Sequence, residues 1–250
     1  SRDLQMILLP GASLLGLYPD IGCRPMDDMD ILVKPSEYGP ATAALRDVGM
    51  APQPRYPEMF SNECLTIDLH TDLSNCSRIR SRQYAGGVDP AAAWNDAVEG
   101  QVEGIRVNRM CLEDETLFSA VHALRHGFSR CTWFVDLLQL LRCDLSWSRL
   151  EAKAIRYRLQ RPLAYALAFL AQLGECHLPV AAASFLDRHR FRFLESRILR
   201  RAFAERGRRN WGDLLWSFNV SGRFRKCLFL GETFFPSPQV MLQVFPFLPR

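Results

Sequence analysis

The sequence predicts an α+β fold, a small mixed β-sheet core with helices followed by a mainly helical C-terminal domain. Three observations carry it. Short apolar runs alternate with turn signals over the first hundred or so residues, one stretch reads as strand, helix, strand, and beyond Cys111 apolar residues recur at helical spacing.

Ile31-Leu32-Val33 follows acidic residues and precedes Lys34-Pro35, which predicts a strand that ends at the proline. Leu65-Thr66-Ile67-Asp68-Leu69-His70 alternates apolar and polar side chains, as a half-buried strand does. Between them, Ser36 precedes an Ala-rich stretch from Gly39 to Val48 that closes on Gly49, the pattern of a capped helix with a glycine stop. From Ser77 to Val107, Ala85-Gly86-Gly87 and Asp89-Pro90 read as breakers, and the expectation is loops with a short edge hairpin. Glu113-Asp114-Glu115 opens an apolar-periodic run through His126, with acidic residues where the helix dipole favours them. Further helices are expected at about 131–143, 147–159, 161–173, 179–187, 190–206 and 209–219. The boundary falls near residue 110, which predicts a catalytic domain over 1–110 and a helical domain over 111–250.

At 250 residues, 48% hydrophobic and 23% charged, the chain has the composition of a folded protein with sizeable cores. Its longest apolar stretch, Leu163 to Ala171, falls short of the roughly 20 residues that span a bilayer. Leu4 to Pro10 is too short and too poorly flanked for a signal peptide, and the absence of an initial Met leads us to expect residues upstream. The eight cysteines (Cys23, Cys64, Cys76, Cys111, Cys131, Cys143, Cys176, Cys227) form no CxxC pair and no repeating spacing. That argues against a zinc ribbon or disulfide framework and for reduced thiols in a cytoplasmic protein. Residues 1–110 carry 10 Lys+Arg against 15 Asp+Glu, and residues 111–250 carry 21 against 12. The basic residues of the second half, almost all Arg, read as solvated helix faces rather than a polyanion site.

The chemistry concentrates in Asp27-Asp28-Met29-Asp30-Ile31-Leu32-Val33. On a strand, Asp28 and Asp30 point to one side and Met29 to the other, so the two carboxylates can share divalent cations while Asp27 faces away. Nucleotidyl transfer uses such a pair, because two magnesium ions about 4 Å apart stabilise both the attacking and the leaving oxygen. Asp68 is the candidate third carboxylate, as metal ligand or as base toward an acceptor hydroxyl.

These motifs resemble a known family. Gly11-Ala12, Leu17-Tyr18-Pro19, Arg24-Pro25-Met26, Asp28-Met29-Asp30-Ile31-Leu32-Val33, Asp68-Leu69-His70, His122 with His126, Trp133 to Asp136 and Phe235-Pro236-Ser237-Pro238 are similar, in this order, to the uncharacterised bacterial nucleotidyltransferase family called type 5, within the polymerase-beta-like superfamily. The resemblance implies a metal-dependent nucleotidyltransferase that moves a nucleotidyl or other phosphate-containing group from a nucleoside triphosphate to an acceptor hydroxyl or phosphate. It implies Mg2+ or Mn2+ at Asp28, Asp30 and Asp68, and a nucleotide held by the Gly11, Ala12 and Ser13 turn, where backbone N–H groups favour anions. Arg24 would neutralise phosphate or orient the acidic strand, and His70 would bond to Asp68 or approach the acceptor. A sugar, peptide or small-molecule acceptor is favoured over nucleic acid. The departure is Pro10, where members often carry a Lys; it removes a cation and a backbone donor. The alternative is therefore a catalytically impaired nucleotide-binding or interaction protein that keeps the fold. His122, His126 and Asp136 read as interdomain hydrogen-bonding residues rather than a metal site, His177 and His189 as structural, and the tryptophans as core or interface.

Overall fold

The structure, a computed structural model, describes residues 4–76, 79–173, 177–205 and 209–244. Two compact units emerge. The first holds the chain up to Leu73, from Asp89 to Cys111, and from Ser237; the second holds Ser74–Val88 and Leu112–Pro236.

The first unit is built on one mixed sheet of strands β1 (Met6–Leu8), β2 (Met29–Val33), β3 (Ala51–Gln53), β4 (Tyr56–Ser61), β5 (Thr66–His70), β6 (Val98–Val102) and β7 (Ile105–Arg109). Their order is β3-β4-β5-β2-β1-β7-β6. β2 runs antiparallel to β1 and parallel to β5, while β1 is parallel to β7. β1 carries no periodic signal because it is only three residues long, yet Ile7 is fully buried between its two neighbours. On β2 and β5, Ile31, Val33, Ile67 and Leu69 point to one face and pack with Leu8, Ala41, Met50 and Phe60 into a core. The opposite face carries Asp30, Asp68 and His70, so the alternation that buries one side exposes the chemistry on the other.

Helix α1 (Tyr38–Asp47) matches the expected Ala-rich helix, and Gly49, at φ +82, supplies the left-handed stop. Its start differs from expectation. Ser36 lies inside a short 3₁₀ turn over Pro35–Glu37, and the N-cap of α1 is Glu37, without a side-chain cap bond. The segment expected as loop also holds helix α2 (Pro90–Asn95): Asp89 caps it by accepting from Ala91 N at 3.0 Å, and Pro90 fills the first turn. The same dipeptide that breaks a preceding element begins a following one. The expected hairpin is β6–β7, with β6 at the sheet edge.

The second unit is helical: α3 (Leu112–Arg125), α4 (Cys131–Arg142), α5 (Trp147–Arg156), α6 (Gln160–Gln172), α7 (Val180–Arg188), α8 (Phe193–Ala204), α9 (Arg209–Ser217) and α10 (Arg223–Phe234). A further helix, α11 (Pro238–Val244), follows in the first unit. α3 is central, buried along most of its length and packed on α4, α5, α6 and α9. Its acidic first turn is neutralised rather than solvated: Lys153 of α5 donates to Asp114 at 2.7 Å, with both side chains buried. Gly212 lets α9 press against the α3 backbone, since a Cβ there would fall 1.8 Å from the Leu124 carbonyl oxygen. Tyr165 donates to the fully buried Glu195 at 2.6 Å, and Arg161 pairs with the same carboxylate. No helix among the described residues is long and apolar enough to cross a membrane.

Candidate active site

The site begins with register. β2 and β5 pair in parallel with Asp30 opposite Asp68 and Leu32 opposite His70, so one face of two adjoining strands carries two carboxylates and an imidazole. His70 Nε2 lies 2.7 Å from Asp30 Oδ1 and 3.3 Å from Asp68 Oδ2. The Asp30, Asp68 and His70 side chains keep 18, 19 and 15% of their surface, enough for a small ligand to reach them. Asp28 stands just before β2, half-buried, and Asp27 beside it is exposed.

Electrostatics single out Asp68. Burial pushes its carboxyl up to about 6; His70 opposes that rise, while the negative charges of Asp30, Glu58 and Asp28 add to it. Its Oδ1 is buried without a hydrogen-bond partner. Tyr38, at the start of α1, has its phenol pushed up by burial and by Glu58 and Asp68, against Arg46. Glu58 and Tyr38 are members of this environment that motif reading missed. The segment Tyr56–Ser61 has no apolar–polar alternation, and nothing in it names its partner strand.

The turn after β1 is placed by the same ladder. Leu9 N donates to Asp30 O at 3.0 Å, so the chain enters Gly11 beside the acidic strand. Gly11 adopts φ 131, a conformation side-chain-bearing residues avoid, and caps a 3₁₀ helix over Ala12–Leu17. The guanidinium of Arg24, a buried residue, packs against it, with Nη2 3.6 Å from where a Cβ would be. Ala12 and Ser13 are turned inward, and Ser13 N donates to Leu9 O at 3.2 Å.

The other singled-out residues lie in the helical unit. His122 and His126 share a face of α3 with ring centroids 4.7 Å apart, and Trp133 sits 5.1 and 5.0 Å from them. Asp136 is buried on α4. His189 stacks on Phe185 and bonds its carbonyl at 2.8 Å through Nδ1, a structural role, whereas His177 is exposed.

A family profile described as an uncharacterised nucleotidyltransferase matches residues 1–175. The chain belongs to this nucleotidyltransferase family. The matched span takes in the Gly11 turn, the Asp28–Asp30 strand, Asp68 with His70, and the His122–Trp133 cluster. Phe235-Pro236-Ser237-Pro238 lies beyond it. No curated protein and no solved structure matches the chain. For a nucleotidyltransferase the donor set is apt: Asp30, Asp68 and His70 each offer a ligand atom, all within 4.8 Å of one another, a spacing at which a divalent cation can be shared.

Proposed function

We propose that the chain is a divalent-cation-dependent nucleotidyltransferase whose working face is the Asp30–Asp68 pair, with Asp28 completing the acidic set. The observation that carries this reading is the in-register placement of the two carboxylates on adjoining parallel strands, with Asp68 Oδ1 buried and unpartnered. The residues concerned all fall within the proposed catalytic domain, 1–110, and the proposed helical domain over 111–250 supplies none of them.

In the reaction proposed, an acceptor oxygen forms a bond to the α-phosphorus of a nucleoside triphosphate while the bond from that phosphorus to the pyrophosphate oxygen breaks. The acceptor's proton passes to the Asp68 carboxylate, part of whose surface stays open, and from there to solvent. Asp30 and Asp68, with Asp28, would hold the cation, Mg2+ or Mn2+, whose chemistry would be to polarise the phosphate and neutralise the charge that develops. Arg24, packed on Gly11 beside the acidic strand, offers a charge to the phosphates. The proposed acceptor is a sugar, peptide or small molecule.

The test is pyrophosphate release from each nucleoside triphosphate with Mg2+ or Mn2+ across a panel of sugars, peptides and small hydroxyl compounds. Wild type should turn over, and Asp30→Asn should lose roughly a hundredfold or more. Nucleotide binding without release in any mixture would favour the binding-only reading that Pro10 suggests, and activity unchanged by Asp30→Asn and Asp28→Asn would end the proposal.

A further inference from the structure

Within the proposed cation centre, we infer that His70 is itself a ligand, and that the site selects a first-row transition-metal dication such as Mn2+ over Mg2+. This rests on the reading of the Asp30–Asp68 face as a cation site. The donors Asp30 Oδ1 and His70 Nε2 are 2.7 Å apart, and Asp68 Oδ2 and His70 Nε2 are 3.3 Å apart. Adjacent donors on an octahedral ion with bonds of about 2.1 Å stand about 3 Å from each other, a value that lies between these two. The three donor atoms come from three residues on one face of two strands, so an ion can meet them without rebuilding the backbone. The imidazole is backed by sheet structure: its register partner Leu32 is fully buried, and β5 holds the ring two residues from Asp68.

Donor type decides the metal. A carboxylate-only site suits Mg2+, which prefers oxygen, demands regular geometry and keeps several waters. An imidazole nitrogen in the first coordination sphere shifts preference toward d-block ions, whose affinity for nitrogen donors exceeds that of Mg2+. An ion that takes the place of the Nε2–Asp30 hydrogen bond binds neutral imidazole with its one proton on Nδ1, and a second ring proton, where present, goes to solvent. His70 is thereby a specificity-determining residue, separate from the two carboxylates that bind any divalent cation.

The experiment uses the full chain. Mn2+ and Mg2+ are titrated calorimetrically into wild type, His70→Gln and Asp30→Asn, and pulsed electron paramagnetic resonance is recorded on the Mn2+ form with and without isotope-labelled histidine. Wild type should bind Mn2+ about tenfold or more tightly than Mg2+ and show a histidine nitrogen coupling. His70→Gln should lose that coupling and weaken Mn2+ by roughly tenfold or more, with Mg2+ much less affected. Asp30→Asn should abolish uptake of both, which locates the ion. Should His70→Gln fail to fold, the nitrogen coupling in wild type decides alone. Mn2+ bound at Asp30 with no nitrogen coupling, or an unchanged Mn2+ to Mg2+ ratio in His70→Gln, would overturn the inference and leave the cation centre standing. Wild type taking up neither ion would bring down the cation reading with it.

Discussion

Asp68 shows what a largely buried carboxylate costs the fold that holds it. Its carboxyl titrates near 6 instead of 3.8 because burial and the surrounding carboxylates disfavour the charge. A pKa raised on folding adds stability fully present below the unfolded value and lost as pH rises through about 6. At pH 8 the charged Asp68 therefore weighs against folding by up to about 3 kcal/mol. Asp68→Asn should stabilise the cation-free protein at pH 8 by about 1–3 kcal/mol and by much less below pH 4, as read from denaturant unfolding at the two pH values. Asp28, Asp30 and Asp68 were legible as candidates because a period of two is all that is needed to put carboxylates on one face. The contribution of Glu58 was not, because it depends on β4 lying beside β5, and strand alternation is silent about neighbours.

Among the elements, strands β2 and β5, helix α1 and the helices with regular apolar spacing were foreseeable, whereas α2 and α10 were not. α3 through α9 follow the expected spans within a few residues, α8 being the most trimmed, from 190–206 to Phe193–Ala204. α10 escaped because its apolar residues fall on both sides: Phe229 is buried, while Phe224 and Leu228 remain exposed, so no single stripe marks it. The α3–α5 contact carries a test of its own. Lys153 and Asp114 form a buried pair, and Asp114 is also among the charges that, after burial, hold the Tyr157 phenol up. Lys153→Met alone should cost about 3–5 kcal/mol, since it strands a buried carboxylate, and the double change with Asp114→Leu should recover most of that. Thermal or denaturant unfolding of the full chain with the single and double variants measures both.

Across the whole molecule, residues 74–88 group with the helices rather than with the sheet. Trp216 Nε1 donates to the Ala85 carbonyl at 3.1 Å, and Ser81 N donates to Glu232 at 2.8 Å. A fragment starting at Leu112 strands those donors and acceptors, so it should melt earlier and less cooperatively than a fragment starting at Ser74, by circular dichroism. A composition change near residue 110 cannot reveal this, because a short segment that joins helices from a distance has no periodic signature. The sheet carries a different kind of consequence. Both of its parallel contacts join strands distant in sequence, Asp30 with Asp68 and Ile7 with Asn108. A ribosome that has released the chain only as far as Ser61 has made the β1 and β2 segments with Asp28 and Asp30, but not the strand that brings Asp68 and His70 to them. The cluster of Asp30, Asp68 and His70 therefore waits on long-range closure: it is complete only once β5 has paired with β2.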